Sequence, residues 1–184
     1  MPQVLTQARY AVWSLFNREY LRPTFKISNF NELVIPCTIK LVILDKDNCF
    51  TKPKDGKVWP EFQQRWDSLI RGQKEDGYKV TVVSNSAGDR AADPGFSEAT
   101  QLTKALGVEI LHHDLSKPMC YLQLKRYYEA LQLNGSQVLV VGDRLLTDVL
   151  MANLMGTKST WIDPGAHPGY ANRLDGMIAR MFNL

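Results

Sequence analysis

Charged and hydroxyl side chains stand where short apolar runs end. Leu41-Val42-Ile43-Leu44 leads directly into Asp45-Lys46-Asp47-Asn48, and Val80-Thr81-Val82-Val83 into Ser84-Asn85-Ser86. Lys117-Pro118 follows the run from Val108 to Leu111, and Val138-Leu139-Val140-Val141 opens into Gly142-Asp143-Arg144-Leu145-Leu146-Thr147-Asp148. Two carboxylates two residues apart, where a strand ends and the chain turns, let one face a reaction centre while the other reaches a leaving group. A hydroxyl followed by turn residues with free N–H groups, as at Ser84 and Asn85, suits a phosphate oxygen. The ammonium of Lys117 suits the charge of a phosphoryl group. Asp45, Asp47, Asp143 and Asp148 cannot gather as bare anions without strong repulsion. A hard divalent cation removes that conflict, and Mg²⁺ takes a few carboxylates, waters and a phosphate. Taken singly, each motif also has a plain reading as turn chemistry, a solvated lysine or an acid at a helix start.

The elements that position these groups alternate in kind. Apolar runs at Leu41–Leu44, Val80–Val83, Val108–Leu111, Val138–Val141 and Ser159–Ile162 read as strands. The first and fourth are nearly continuous in apolar residues, as strands covered on both faces are. Between them fall helical stripes: Phe62, Trp66, Leu69 and Ile70 after Pro60; Ala99, Leu102, Thr103 and Leu106 before Gly107; Tyr121, Leu124, Tyr128 and Leu131; and Val149, Ala152 and Met155 before Gly156. The alternation predicts an α/β fold, a single doubly wound parallel sheet of about five strands, with the chemistry at the C-terminal strand ends.

Composition narrows the classes. With 184 residues the chain suits one domain, and a net charge of +3 without a long basic run gives no reason to expect a nucleic-acid partner. Cys37, Cys49 and Cys120 have no metal-ligand spacing and an odd count, which fits a reducing compartment. No stretch approaches the ~18 apolar residues of a membrane span, and no secretory signal is visible. In His112-His113-Asp114, adjacent histidines of an extended segment point to opposite sides, against a joint metal site, although one of them near Lys117 is placed to touch substrate. His167, between glycine and proline residues, reads as a loop histidine.

The four motifs in this order resemble those of the haloacid dehalogenase superfamily over roughly residues 38–165. The resemblance implies Asp45 as nucleophile, Asp47 as general acid and base, Ser84 and Lys117 as phosphate binders, Asp143 as a direct Mg²⁺ ligand and Asp148 in support of the metal shell. Dehalogenating members lack the second aspartate, so a phosphatase is implied. Cys49 stands where many members have threonine, which bears on local hydrogen bonding. The expected site therefore comprises Asp45, Asp47 and Lys117 for catalysis; Ser84, Asn85 and Lys117 for phosphate; and Asp45, Asp47, Asp143 and Asp148 for metal.

Superfamily members acting on small metabolites usually carry a cap domain. Here the segments from Asp47 to Ser84 and from Ser84 to Lys117 each leave room for one helix and one strand, so no cap is expected. An open site implies a bulky substrate: a protein, a nucleic-acid end or a lipid headgroup.

Residues 1–30 form a separate unit in this reading, ahead of a catalytic domain over 31–184. Within 4–20, Val4, Leu5, Ala8, Val12, Leu15 and Phe16 share one helical face, with Ala11, Trp13 and Tyr20 near it, and Arg9, Arg18, Arg22 and Lys26 outnumber Glu19. Such a helix suits an anionic membrane surface; packing on the domain, packing between subunits and a transit peptide are the alternatives. The last helix, with Leu174, Met177, Ile178, Met181 and Phe182, is expected on the core or on a partner subunit, and a homo-oligomer is left open. Leu44-Asp45-Lys46-Asp47-Asn48-Cys49, Ser84-Asn85-Ser86-Ala87-Gly88, Gly142 through Asp148 and the N-terminal helix together resemble the mitochondrial phosphatidylglycerophosphate phosphatase branch of fungi and plants. That resemblance implies an anionic phospholipid substrate, a product used for cardiolipin, and peripheral attachment on the matrix side of the mitochondrial inner membrane. It makes Arg90 and Arg144 candidates for headgroup contact. A soluble uncapped phosphatase and a non-catalytic scaffold are the competing readings.

Overall fold

A computed structural model describes the backbone of residues 2–53, 55–163 and 173–184, and side chains within these ranges from residue 6 onward except those of residues 7 and 173. His167, Val4 and Leu5 fall outside the described side chains. Six parallel strands form one sheet: β1 (Phe25–Ile27), β2 (Leu41–Leu44), β3 (Lys79–Val82), β4 (Glu109–Ile110), β5 (Val138–Gly142) and β6 (Lys158–Ile162). Their spatial order is β1-β6-β5-β2-β3-β4. The winding reverses at β2, between β5 and β3, which opens a crevice at the carboxyl ends of these strands. The helices are α1 (Pro2–Phe16), α2 (Gln63–Glu75), α3 (Ser97–Leu106), α4 (Tyr121–Ala130), α5 (Leu150–Met155) and α6 (Arg173–Phe182).

Side-chain alternation decides which face each strand residue serves. Val42, Leu44, Val80, Val82, Leu139 and Val141 pack with Trp66 and Leu69 of α2 and with Ala99, Leu102 and Leu106 of α3. Leu41, Ile43, Val138 and Val140 face the other way, onto Leu124 and Tyr128 of α4 and Met151, Ala152 and Met155 of α5. All four residues of β2 are buried, which is why that segment reads as an unbroken apolar run. A third cluster joins Leu21, Leu145, Val149, Leu150 and Trp161 to Ile178 and Ala179 of α6.

The sheet has one strand more than the sequence suggests. β1 is three residues long, with Phe25 and Lys26 exposed, and pairs only with β6, so it carries no apolar run and no buried face to betray it. It lies within residues 1–30 and pairs there with β6. The segment from Asp47 to Ser84 contributes a turn region, α2 and β3, and the segment from Ser84 to Lys117 contributes α3 and β4. Neither builds a cap. Among the described residues no helix is long and apolar enough to cross a membrane.

Candidate active site

Register brings the motifs to one level. Leu44 is aligned with Val82 on one side and Val141 on the other, so the residues that follow these three emerge side by side. The backbone still pairs one step further: Asp45 donates its N–H to Val141 and Val83 to Leu44. Past Asp45 the chain folds tightly, with Cys49, Phe50 and Thr51 all donating N–H to the Lys46 carbonyl and Asn48 in the left-handed region at φ 61°. Asparagine tolerates that conformation better than most residues. Cys49 is buried in the core beneath this turn, where burial first and the nearby aspartates second push its thiol pKa up. It is a packed, neutral thiol.

Asp45, Asp143 and Asp148 each bring a carboxylate oxygen within 4.8 Å of the others. Lys117 joins them: its Nζ lies 2.6 Å from Asp45 Oδ1 and 2.7 Å from Asp148 Oδ1, and all four side chains are buried. Burial alone would lower the Lys117 pKa, but Asp148 and Asp45 outweigh it and hold the ammonium charged. For Asp143, Arg144 and Lys117 do not offset burial and the neighbouring acids. Both its oxygens are buried without a partner among the described residues, and burial, Asp45 and Asp148 push its pKa up to about 8. A buried carboxylate with neither oxygen paired is costly unless something binds it. One lysine against three carboxylates leaves a local deficit of positive charge, and hard oxygen donors at this spacing fit a divalent cation such as Mg²⁺.

The segment that carries Asp143 and Asp148 is tightly built. A side chain at Gly142 would put its Cβ 2.4 Å from the Asp148 carboxylate, so glycine is required there. Asp148 Oδ2 accepts the Arg144 N–H at 3.1 Å, and Trp161 Nε1 donates to the Asp143 carbonyl at 3.0 Å. Leu145–Val149 forms a single π-helical turn, a rare form that is frequent at functional sites.

Asp47, expected among the metal ligands, turns its side chain elsewhere. Lys46 Nζ lies 2.6 Å from its Oδ1, and Ser86 Oγ donates to its Oδ2 at 2.6 Å. Its carboxylate is outside the three-aspartate group, because two donors from its own turn and the next loop hold it. Lys46 is itself 1% exposed and also donates to the Asp55 carbonyl. Neither Lys46 nor Ser86 was expected at the site. The only sequence signal was their position inside the motifs.

Ser84 sits at the end of β3, buried, with its hydroxyl 2.9 Å from Ser86 Oγ. The side chain of Asn85 is engaged by the backbone of Lys117: its Oδ1 accepts the Lys117 N–H at 2.7 Å and its Nδ2 donates to the Lys117 carbonyl at 3.4 Å. It ties the loop after β3 to the loop carrying the lysine. His113 does the same. It is buried, with one ring nitrogen 2.8 Å from the Leu115 carbonyl and the other 3.1 Å from the Ser84 carbonyl. His112 stacks on Phe96 at 4.0 Å. No histidine joins a metal-type group among the described residues. Arg144 is exposed beside the three carboxylates, whereas Arg90 pairs with Asp114 at 2.6 Å and lies over Phe96. All three cysteines are free.

Comparison with known proteins gives a consistent set of relatives. The family model described as mitochondrial PGP phosphatase matches residues 6–167. The mitochondrial phosphatidylglycerophosphatase of Saccharomyces cerevisiae is 38% identical over 173 residues, covering 92% of this chain and 91% of that one. The "Probable phosphatidylglycerophosphatase, mitochondrial" of Schizosaccharomyces pombe is 34% identical, over 71% of this chain and 63% of that one. Phosphatidylglycerophosphate phosphatase 1, chloroplastic/mitochondrial, of Arabidopsis thaliana is 30% identical, over 68% and 34% respectively.

Proposed function

Since the chain belongs to the mitochondrial PGP phosphatase family, of haloacid dehalogenase type, we propose that it hydrolyses phosphatidylglycerophosphate to phosphatidylglycerol and inorganic phosphate. The observation that carries this reading is the buried group of Asp45, Asp143, Asp148 and Lys117 beside a separately held Asp47, in a site without a cap. It provides a nucleophile, an acid–base group and positive charge in three distinct places.

An oxygen of Asp45 attacks phosphorus while the bond from phosphorus to the glycerol oxygen breaks, and Asp47 gives that oxygen its proton. Water then delivers a proton to Asp47 and attacks phosphorus, the bond to Asp45 breaks, and phosphate leaves. Ser86 serves both protonation states of Asp47, because a hydroxyl donates to the carboxylate and accepts from the acid. Lys46, at 2.6 Å, holds the Asp47 carboxylate in place. Lys117 holds Asp45 in place and brings charge to the phosphoryl oxygens. Asp45, Asp143 and Asp148 would hold Mg²⁺, which when bound supplies further positive charge against those oxygens.

The substrate would be met at an anionic membrane surface, the matrix side of the mitochondrial inner membrane, and the product would feed cardiolipin formation. Support comes from α1, which exposes Val12, Trp13, Leu15 and Phe16 together with Arg9. Tyr10 of α1 hydrogen-bonds Tyr121, four residues beyond Lys117, so α1 runs close to the loop that carries the lysine. Arg144, exposed beside the carboxylates, is the better placed of the two arginines for the headgroup.

The test is Mg²⁺-dependent phosphate release from phosphatidylglycerophosphate in mixed micelles, run beside a soluble aryl phosphate with Asp45→Asn as blank. Preference for the lipid is expected, with turnover in the variant down by several orders of magnitude. Turnover of the soluble ester alone would make the chain a soluble phosphatase, and none on either would leave a scaffold.

A further inference from the structure

One buried carboxylate has no part in the reaction described above. Asp175, in the first turn of α6, is 1% exposed. Its Oδ1 accepts the N–H of Leu145 at 3.1 Å, and its Oδ2 is buried without a partner among the described residues. Leu145 opens the π turn Leu145–Val149, which carries Asp148. The first N–H groups of a helical turn lack acceptors within it, so a carboxylate at that point fixes where the turn begins.

Packing does not need this acid. Ile178 and Ala179 already dock α6 against Leu21, Leu145, Val149 and Trp161. A carboxylate buried near Asp148 costs stability, and an apolar residue would avoid that cost. Its grip falls instead on the segment between Asp143 and Asp148, which is also held by the Arg144 N–H and Lys117 on Asp148, by Trp161 on the Asp143 carbonyl and by the Asp148 and Val149 N–H groups on the Arg144 carbonyl. Asp175 also lies beyond residue 167, where the match to the family model ends.

We propose that Asp175 is a positioning residue for the metal-binding turn: by holding the Leu145 N–H it sets the Asp148 carboxylate relative to Asp45 and Asp143. The inference rests on reading those three aspartates as a divalent-cation site. Without Asp175 the Leu145 N–H at the start of the turn loses its acceptor, and the Asp148 carboxylate is left to Lys117 and the Arg144 N–H, with its own N–H on the Arg144 carbonyl.

The experiment is a calorimetric Mg²⁺ titration of the full-length chain without substrate, with KM for Mg²⁺ and kcat measured on a soluble aryl phosphate. It compares wild type, Asp175→Ala, Asp175→Asn, which keeps the acceptor, and Asp143→Asn as a metal-site control. Asp175→Ala should weaken Mg²⁺ binding and raise KM for Mg²⁺ about tenfold. At saturating Mg²⁺ its kcat should fall less than about threefold, and Asp175→Asn should bind Mg²⁺ within about threefold of wild type. Asp175→Ser, too short to reach Leu145, carries the expectation of the alanine variant should that fail to fold. Unchanged Mg²⁺ affinity in the alanine and serine variants overturns the inference. So does an asparagine variant as weak as the alanine one, which would assign the effect to charge. Loss of binding in Asp143→Asn with no change in Asp175→Ala refutes the positioning role and leaves the metal site standing. A wild type that takes up no Mg²⁺ refutes both.

Discussion

Asp47 and Ser86 illustrate how one hydroxyl bears on the residue proposed as acid and base. Ser86 Oγ reaches Asp47 Oδ2 at 2.6 Å from a loop 39 residues away, and it also meets Ser84 Oγ at 2.9 Å. Hydrogen bonds to a charged group are worth ~1.5–3 kcal/mol, so removing this one allows the carboxylate to drift from its working position. Ser86→Ala should lower kcat roughly 10- to 100-fold, with little change in Mg²⁺ affinity, since Asp47 lies outside the metal-type group. A kcat equal to that of wild type would show that Lys46 alone holds Asp47. Lys46 is the other half of the clamp, linking Asp47 to the Asp55 carbonyl in the turn region after β2.

At the scale of elements, α3 shows how a loop acid starts a helix. Asp93, 5% exposed, accepts N–H groups of Ala99 at 2.9 Å, Gly88 at 3.2 Å and Glu98 at 3.3 Å. Burial pushes its pKa up, yet these backbone donors outweigh burial and hold it below its ordinary value of 3.8. A folded pKa below the unfolded one means the stabilisation is complete above the unfolded value and is lost as pH falls through the folded value. Asp93→Asn, which loses part of these charge-assisted hydrogen bonds, should therefore cost about 1–2 kcal/mol near neutral pH. Urea unfolding should show the gap between variant and wild type narrowing below about pH 4. A gap independent of pH would assign the loss to shape and not to charge. The same acid joins the loop after β3 to α3, so it also supports the segment that presents Ser84 and Ser86.

For the whole molecule, the open crevice and the exposed face of α1 matter together. Phe16 is 84% exposed and Val12 55% exposed, in a helix that hydrogen-bonds through Tyr10 to the start of α4. An interfacial helix draws its affinity from apolar area and from basic residues that feel anionic lipid. Phe16→Glu should reduce co-flotation with vesicles containing anionic lipid and lower turnover of micellar phosphatidylglycerophosphate about tenfold. Turnover of a soluble aryl phosphate should stay at the wild-type level, since Phe16 touches none of the catalytic groups. Equal flotation of both proteins would instead assign the exposed face of α1 to a protein contact.

Much of this was legible in the sequence because the signals are local. The apolar runs of β2 and β5 follow from burial on both faces, and the glycine before Asp143 follows from the close approach of Asp148. Asp45, Asp143, Asp148 and Lys117 were readable as a group because a doubly wound sheet delivers strand ends to one crevice. The sequence by itself thus determined the fold class, the family and the residue types that meet. Only the tertiary structure decided which oxygen faces which partner. Asp47 turns from the metal group to Lys46 and Ser86, Asn85 binds the backbone of Lys117, β1 joins the sheet, and Asp175 reaches Leu145 across 30 residues. Local pattern reports burial and turning, whereas the pairings of Asp47 with Ser86, Asn85 with Lys117 and Asp175 with Leu145 join segments 30 or more residues apart. Their geometry exists only once the sheet has set the loops side by side.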